Sequence, residues 1–132
     1  MARIRGFVLI NPDSLNIDLA SLNGGSAQVF KLSGSVDVAT SPTLRAALLE
    51  AAEHEGHALV VDLTHVEFLD SSGLGALIGA FRRAGERNGT LRIVAQEGQI
   101  LRLFRITGLL DILAVYPTVD AALKDEERVK GL

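Results

Sequence analysis

The sequence predicts an α/β fold with a mixed β-sheet of four to five strands, an antiparallel hairpin at its N-terminal end and about four helices. Residues 15–20 alternate apolar and polar side chains, as a strand with one buried face does. Asn23-Gly24-Gly25 then offers a tight turn before AQVFKLSG, which completes the hairpin. From residue 26 onward strand-like and helix-like segments alternate, which favours parallel strands joined by helical crossovers.

The first helix is predicted to follow Ser41, which would cap it, with Pro42 at the first helical position. Residues 44–51 carry apolar side chains at helical spacing, so one helix face can lie on the sheet, and Gly56 should end the segment. The run ALVVDL, residues 58–63, is typical of a central strand buried on both faces. A short loop should connect it to FLDSSGLGAL.

The second half of the chain repeats this alternation of helix and strand patterns. A helix with its apolar stripe at residues 74–81 is predicted to end at Asn88 and Gly89, and a strand follows over 91–95. A third helix has its apolar residues at 100–104 and should end at Gly108, before a short strand over 112–116. A last helix, capped by Thr118, should run to Leu123.

Length and composition bound the domain organisation. With 132 residues and 48% hydrophobic content the chain can bury one core, so we expect residues 15–132 to form one domain after an N-terminal extension of residues 1–14. The start, MARIRGFVLINPD, lacks the apolar core and cleavage site of a signal peptide, and no segment approaches the roughly 20 apolar residues that cross a bilayer. The absence of cysteine fits a reducing compartment, and we expect a cytoplasmic protein without membrane insertion.

Charge and residue clusters argue against several function classes. The net charge of −3 is spread along the chain, which disfavours direct nucleic-acid binding. His54 and His57 lie three residues apart without a clear further ligand, so solvent-facing side chains near a helix end are favoured over a zinc site. The sequence has no Walker-type phosphate loop. We therefore expect neither a metal nor a cofactor.

The stretch FLDSSGLGAL places Asp70, Ser71 and Ser72 ahead of a glycine-rich apolar run. Either serine hydroxyl can cap the helix, an arrangement worth about 1 kcal/mol, and capping alone accounts for one of them. The alternative is a modification site, because a phosphoryl group on Ser72 would face the positive end of the helix dipole, which the fold tolerates. Together with Asp70 it would repel an acidic or closely packed partner.

Three glycines, Gly73, Gly75 and Gly79, lie inside the same predicted helix, where each costs roughly 0.5–1 kcal/mol relative to alanine. One explanation is close packing of this helix on a neighbouring element. The other is a smooth surface that lets the backbone of another protein approach.

A basic side is predicted on the later part of this helix, from Arg82, Arg83 and Arg87. Glu86 can pair with Arg82 at a spacing of four residues. A solvated face is favoured over a contact for an acidic partner.

Asp37 ends the GSVD stretch, in the loop before the first helix. If the second and third predicted strands are neighbours, the loops that carry Asp37 and Ser72 leave the sheet at the same edge. One partner surface could then hold both residues.

Ser72 can also be imagined as a hydrolase nucleophile. Its surroundings are Asp70-Ser71-Ser72-Gly73 rather than a G-x-S-x-G elbow, and no histidine lies in an obvious supporting motif. We therefore expect no catalytic residues and no enzymatic activity.

Three stretches, LSGSVDVATSPTLRAAL, VVDLTHVEFLDSSGLGAL and LRIVAQEGQILRLFRITGLLDIL, resemble bacterial anti-sigma factor antagonists, which are single STAS domains. The similarity runs over residues 15–123 and implies the STAS fold. It also implies phosphorylation of Ser72 by the anti-sigma factor, itself an ATP-dependent serine kinase, and a contact of Asp37 with that kinase. The expected partner-binding residues are Asp37, Asp70, Ser71, Ser72, Gly73 and Gly75.

The function that this resemblance implies is partner switching in the regulation of transcription. The unmodified protein would bind the kinase and release a sigma factor, phosphorylation would end that binding, and a serine phosphatase would restore it. The alternative is a STAS-domain subunit of a larger assembly, such as an accessory subunit of a lipid transporter or a stress-signalling complex. The intact acceptor serine argues mildly against that alternative.

Overall fold

A computed structural model describes residues 5–11 and 15–124 of the protein. Their strands form a six-stranded sheet in the order β1 to β6, antiparallel from β1 to β3 and parallel from β3 to β6. The strands are β1 Arg5–Asn11, β2 Leu15–Leu22, β3 Ala27–Val36, β4 Ala58–Leu69, β5 Thr90–Val94 and β6 Ala114–Tyr116. The helices are α1 Ser41–Ala52, α2 Ser71–Glu86, α3 Gln99–Ile106 and α4 Val119–Lys124.

The predicted class is confirmed in its mixed sheet, its hairpin of β2 and β3, and its helical crossovers. The sheet has one strand more than the largest number predicted, because residues 5–11, assigned from the sequence to an extension, pair antiparallel with β2. The short loop expected after residue 63 is wrong. β4 continues to Leu69 and pairs with β3 through two register shifts, which the polar residues at 64 and 65 hid from the apolar pattern.

The helices cover the two faces of the sheet unequally. The main core packs α1, α2 and α3 on one face, since consecutive right-handed crossovers between neighbouring parallel strands place their helices on the same side. A smaller core on the other face joins α4 to the sheet through Val29, Val60, Val94, Tyr116 and Ala122. The last residue of β4, Leu69, belongs to the main core, and α2 begins two residues later.

Helix ends agree with the sequence at three places, and both ends of α1 differ from it. Asn88 has a positive φ of 63° directly after α2, Gly108 has a φ of 78° after α3, and Thr118 Oγ1 accepts the Ala121 N–H at 3.0 Å before α4. At α1, however, the N-cap position is Thr40 rather than Ser41, and the helix ends at Ala52, before Gly56. Across residues 5–11 and 15–124, no helix combines the length and apolar character needed to cross a membrane.

Candidate functional site

Asp70 caps helix α2 and joins it to the end of β4. Its backbone is extended, with φ −108° and ψ −170°, and its Oδ1 accepts the N–H of Ser72 at 2.9 Å and of Gly73 at 3.3 Å. The expectation that a serine hydroxyl caps this helix is therefore wrong. Aspartate and serine are equally good caps, and Asp70 takes the position because it is the last extended residue before the helix.

The Ser72 hydroxyl donates its proton to the Asp70 carboxylate, with 2.5 Å between Oγ and Oδ1. Ser72 is half-buried, whereas Ser71 is exposed. This hydrogen bond is the main reason that the pKa of Asp70 lies below its usual range, and the backbone N–H groups of Gly73 and Ser72 add to the effect. Asp70 is thus an ionised acceptor that fixes the direction of the Ser72 O–H bond.

The loop that carries Asp37 lies beside the start of α2. Val36 and Leu69 are paired as the last residues of β3 and β4, and the Asp70 N–H donates to the Val36 carbonyl at 3.2 Å. The predicted common edge is confirmed, since Asp37 and Asp70 directly follow two neighbouring parallel strands.

Asp37 organises its own loop. Its Oδ1 accepts the N–H of Ala39 at 3.0 Å and of Thr40 at 3.1 Å, while the buried Thr40 hydroxyl accepts the Asp37 N–H at 2.9 Å. These bonds hold the turn between β3 and α1 in one shape. The turn presents Val38, which is 76% exposed.

Two exposed apolar side chains flank this edge and were missed by the sequence interpretation. Val38 follows Asp37, and Phe68, which is 50% exposed, lies two residues before Asp70 and is paired with Ser35 of β3. Strand alternation gave no signal for Phe68, because it would place Phe68 on the same face as the buried Val66. The register shift between Gly34 and Ser35 leaves Phe68 exposed and Leu69 buried.

The glycines of α2 divide into two kinds. A methyl group at Gly73 would overlap the Leu69 side chain and lie 2.7 Å from Val36 Cγ1, so close packing requires glycine there. At Gly75 and Gly79 a methyl group would lie 3.6 and 3.4 Å from the Arg45 guanidinium nitrogens, which is ordinary contact. Packing within the chain therefore explains Gly73 and leaves Gly75 and Gly79 without a steric requirement.

Arg45 sets the charge along this side of α2. It projects from the exposed side of α1, and its guanidinium lies over Gly75 and Gly79. These glycines are three and seven residues after Ser72, so all three positions share one helix face. The edge therefore combines the carboxylates of Asp37 and Asp70 with one neighbouring cation.

The basic side of α2 forms ion pairs at the other end of the helix. Arg83 Nε lies 2.7 Å from Glu53 Oε2, Arg87 also binds Glu53 at 3.0 Å, and Glu86 binds Arg83 at 2.8 Å. The expected pair of Glu86 with Arg82 is wrong, because Arg83, three residues before Glu86, takes that carboxylate. The two hydrogen-bonded arginines lower the pKa of Glu53 to about 2.

The histidines lie away from Ser72. His54 and His57 lie in the segment after the end of α1 and not on the helix itself. Their rings are stacked, with centroids 5.0 Å apart. Burial is the main cause of the lowered pKa of His57. The hydrogen bonds of the described residues join none of the three histidines to Ser72. Within residues 15–124, no group of three or more histidine and acidic side chains is placed to hold a metal ion.

The fold and the site define an α/β domain with a polar edge, where two acid-bearing loops meet at a serine held by a carboxylate. The family model described as the STAS domain matches residues 21–122. The chain belongs to the STAS domain family.

Named relatives are similar over most of the chain. The anti-sigma-B factor antagonist of Bacillus subtilis is 35% identical over 102 residues, which cover 77% of this chain and 91% of that protein. The protein of the same name from Listeria monocytogenes is 33% identical over 102 residues, 77% of this chain and 89% of the relative. A crystal structure of an anti-sigma factor antagonist from Mycobacterium paratuberculosis aligns with a TM-score of 0.72 and 34% identity, covering 87% of this chain and 96% of that one.

Proposed function

We propose that the protein is an anti-sigma factor antagonist that binds an anti-sigma serine kinase and is inactivated by phosphorylation at Ser72. The observation that carries the proposal is the Ser72 hydroxyl, bonded to Asp70 in the first turn of α2 at the edge that also carries Asp37. The similarity to this chain covers about nine-tenths of the length of relatives that bear the name anti-sigma-B factor antagonist, and these relatives support the same role here.

Ser72 suits a phosphoryl acceptor better than Ser71 does. Its proton is directed to Asp70, so the lone pairs of Oγ are left for an incoming phosphorus atom. The product would lie at the N-terminal end of a helix of 16 residues, where the helix dipole stabilises negative charge. The protein supplies the acceptor, and the kinase supplies ATP and the catalytic groups.

The proposed binding surface is the common edge of the two loops. It comprises Asp37, Asp70, Ser71, Ser72, Gly73 and Gly75, with Val38 and Phe68 as apolar contacts beside them. Exposed apolar side chains next to satisfied polar groups are typical of a protein interface. Within this set Gly73 is packed beneath the surface against Leu69 and Val36, while Gly75 lies at the surface near Arg45.

Phosphorylation would end binding by charge and by bulk. A phosphoryl group adds about −1.5 to −2 charge at neutral pH, beside the carboxylate of Asp70. A partner that packs closely over Ser72 would have to bury this dianion beside Asp70, and the neighbouring cation, Arg45, carries a single charge, so the burial is costly. Removal of the group by a serine phosphatase would restore binding, and we expect this ATP-dependent cycle to take place in the cytoplasm.

The test is phosphorylation by the cognate anti-sigma kinase with ATP, mapped by mass spectrometry. Wild type and Ser71→Ala should gain one phosphate at residue 72, and Ser72→Ala should gain none. Pull-down with the kinase should retain Ser72→Ala after incubation with ATP and release the wild type. Phosphate on another residue, or equal retention of phosphorylated and unmodified protein, contradicts the proposal.

A further inference from the structure

A cavity of about 690 Å³ opens at the end of α2 opposite to Ser72. It lies between the later residues of α2, the start of β5 and the segment that leads into β6. The pairing of β5 with β6 begins only at Arg92 and Ala114, so no strand of the described chain lies beside Thr90 and Leu91 at that edge. The volume falls within the range of roughly 300–1,000 Å³ typical of small-molecule sites.

One buried cation lines this cavity. Arg92 is 4% exposed, its Nη1 donates to the Ala122 carbonyl at 2.6 Å, and its Nε has no hydrogen-bond partner. Among the side chains of residues 15–124, no carboxylate lies within ion-pair distance of Arg92. Buried charges are normally paired, and within the described residues this guanidinium has a carbonyl partner but no anion.

The remaining walls are largely apolar. Phe81 and Leu91 line the side toward the main core, and Ile112 and Ala114 line the side toward β6. Glu86 at the rim is already bonded to Arg83. Arg82 also lines the cavity and is exposed, so the lining carries two cations and one carboxylate and favours an anion. A planar carboxylate matches the guanidinium geometry of Arg92.

We propose that this cavity binds a small amphipathic carboxylate, with its acid group on Arg92 and its apolar body against Phe81, Leu91 and Ile112. This site is separate from the proposed phosphorylation site and does not depend on it. The ligand would supply the anion that Arg92 lacks and would cover the open edge of β5.

The test uses sodium decanoate below its micelle concentration, titrated into the ¹⁵N-labelled full chain and followed by NMR. Decan-1-ol and decyltrimethylammonium serve as uncharged and cationic probes of the same length. Decanoate should shift residues 81–92 and 112–116 saturably and bind about tenfold to a hundredfold more tightly than the alcohol, as expected for a charge-assisted hydrogen bond. Equal affinities for the three probes, or shifts located elsewhere, overturn the proposal.

Two variants separate the cavity from general apolar binding. Ile112→Trp should fill the opening and weaken decanoate binding about tenfold or more, because Ile112 lines the cavity and is 52% exposed. Ile106→Trp is the matched control, since Ile106 is 75% exposed and lies outside the lining. Unchanged binding by Ile112→Trp overturns the site.

The charge is tested by Arg92→Lys and Arg92→Met. The lysine variant should keep the preference for decanoate over decanol, and the methionine variant should lose it. Circular dichroism checks that each variant is folded, and if Arg92→Met unfolds, the comparison of Ile112→Trp with Ile106→Trp decides.

Discussion

Replacing Gly75 by alanine should stabilise the fold and weaken partner binding at the same time. Gly75 is inside α2, and an added methyl group would lie in ordinary contact, 3.6 Å from an Arg45 nitrogen. Alanine in a helix gains about 0.5–1 kcal/mol over glycine. Gly85 is the matched control, since it lies in the same helix with nothing within 4 Å of the added methyl group and far from Ser72.

Urea unfolding measures the first effect. For an m-value of about 1.5 kcal/mol/M, both alanine variants should raise the unfolding midpoint by about 0.3–0.7 M. Calorimetric titration with the anti-sigma kinase measures the second effect. A methyl group forced into a packed interface costs about 1–3 kcal/mol, so Gly75→Ala should bind roughly 5- to 150-fold more weakly, while Gly85→Ala binds as wild type does. Equal kinase affinities for the two variants would refute the idea that Gly75 serves a partner.

Three further predictions concern the same helix. Gly73→Ala should destabilise the protein by about 1–3 kcal/mol in thermal unfolding, because its methyl group overlaps core side chains. The Glu53 carboxyl should show a pKa of about 2 in a ¹³C NMR titration, and this pKa should return toward 4.5 in Arg83→Gln. Because the pKa is lower in the folded state, the ionised carboxylate stabilises the fold above pH 4.5, and this stabilisation disappears as the pH falls toward 2. Phosphorylation of Ser72 should raise the pKa of Asp70, which the same NMR titration would detect, and an unchanged value would contradict the role of the serine hydroxyl in lowering it.

The sequence predicted the common edge of the two loops on one condition, that the strands before them are neighbours. Alternating strand and helix patterns favour parallel strands, and the pairing of β3 with β4 meets the condition and brings their ends to one edge. Asp37 and Ser72 follow those ends, so their proximity depends only on element order and direction. No side-chain detail was needed for that prediction.

Contacts between elements decided what the sequence left open. Gly73, Gly75 and Gly79 look alike as letters in one helix, yet only Gly73 lies on Leu69 and Val36. This difference depends on how closely α2 approaches the ends of β3 and β4, which no local pattern encodes. The cap was misassigned for a simpler reason, because Asp70 and the serines are equally suited to it and helix boundaries shift by one or two residues.

The bond from Ser72 to Asp70 makes phosphorylation more than an addition of charge. The hydroxyl is the donor in a contact of 2.5 Å, and an esterified oxygen has no proton to donate, so Oγ and Oδ1 would become two acceptors that must separate. The phosphate and Asp70 would then compete for the N–H groups of Ser72 and Gly73. Movement of Asp70 would reach the Asp37 loop through the bond to Val36. Ser72→Asp reproduces the loss of the donor with a smaller charge, and should therefore weaken kinase binding less than phosphorylation does.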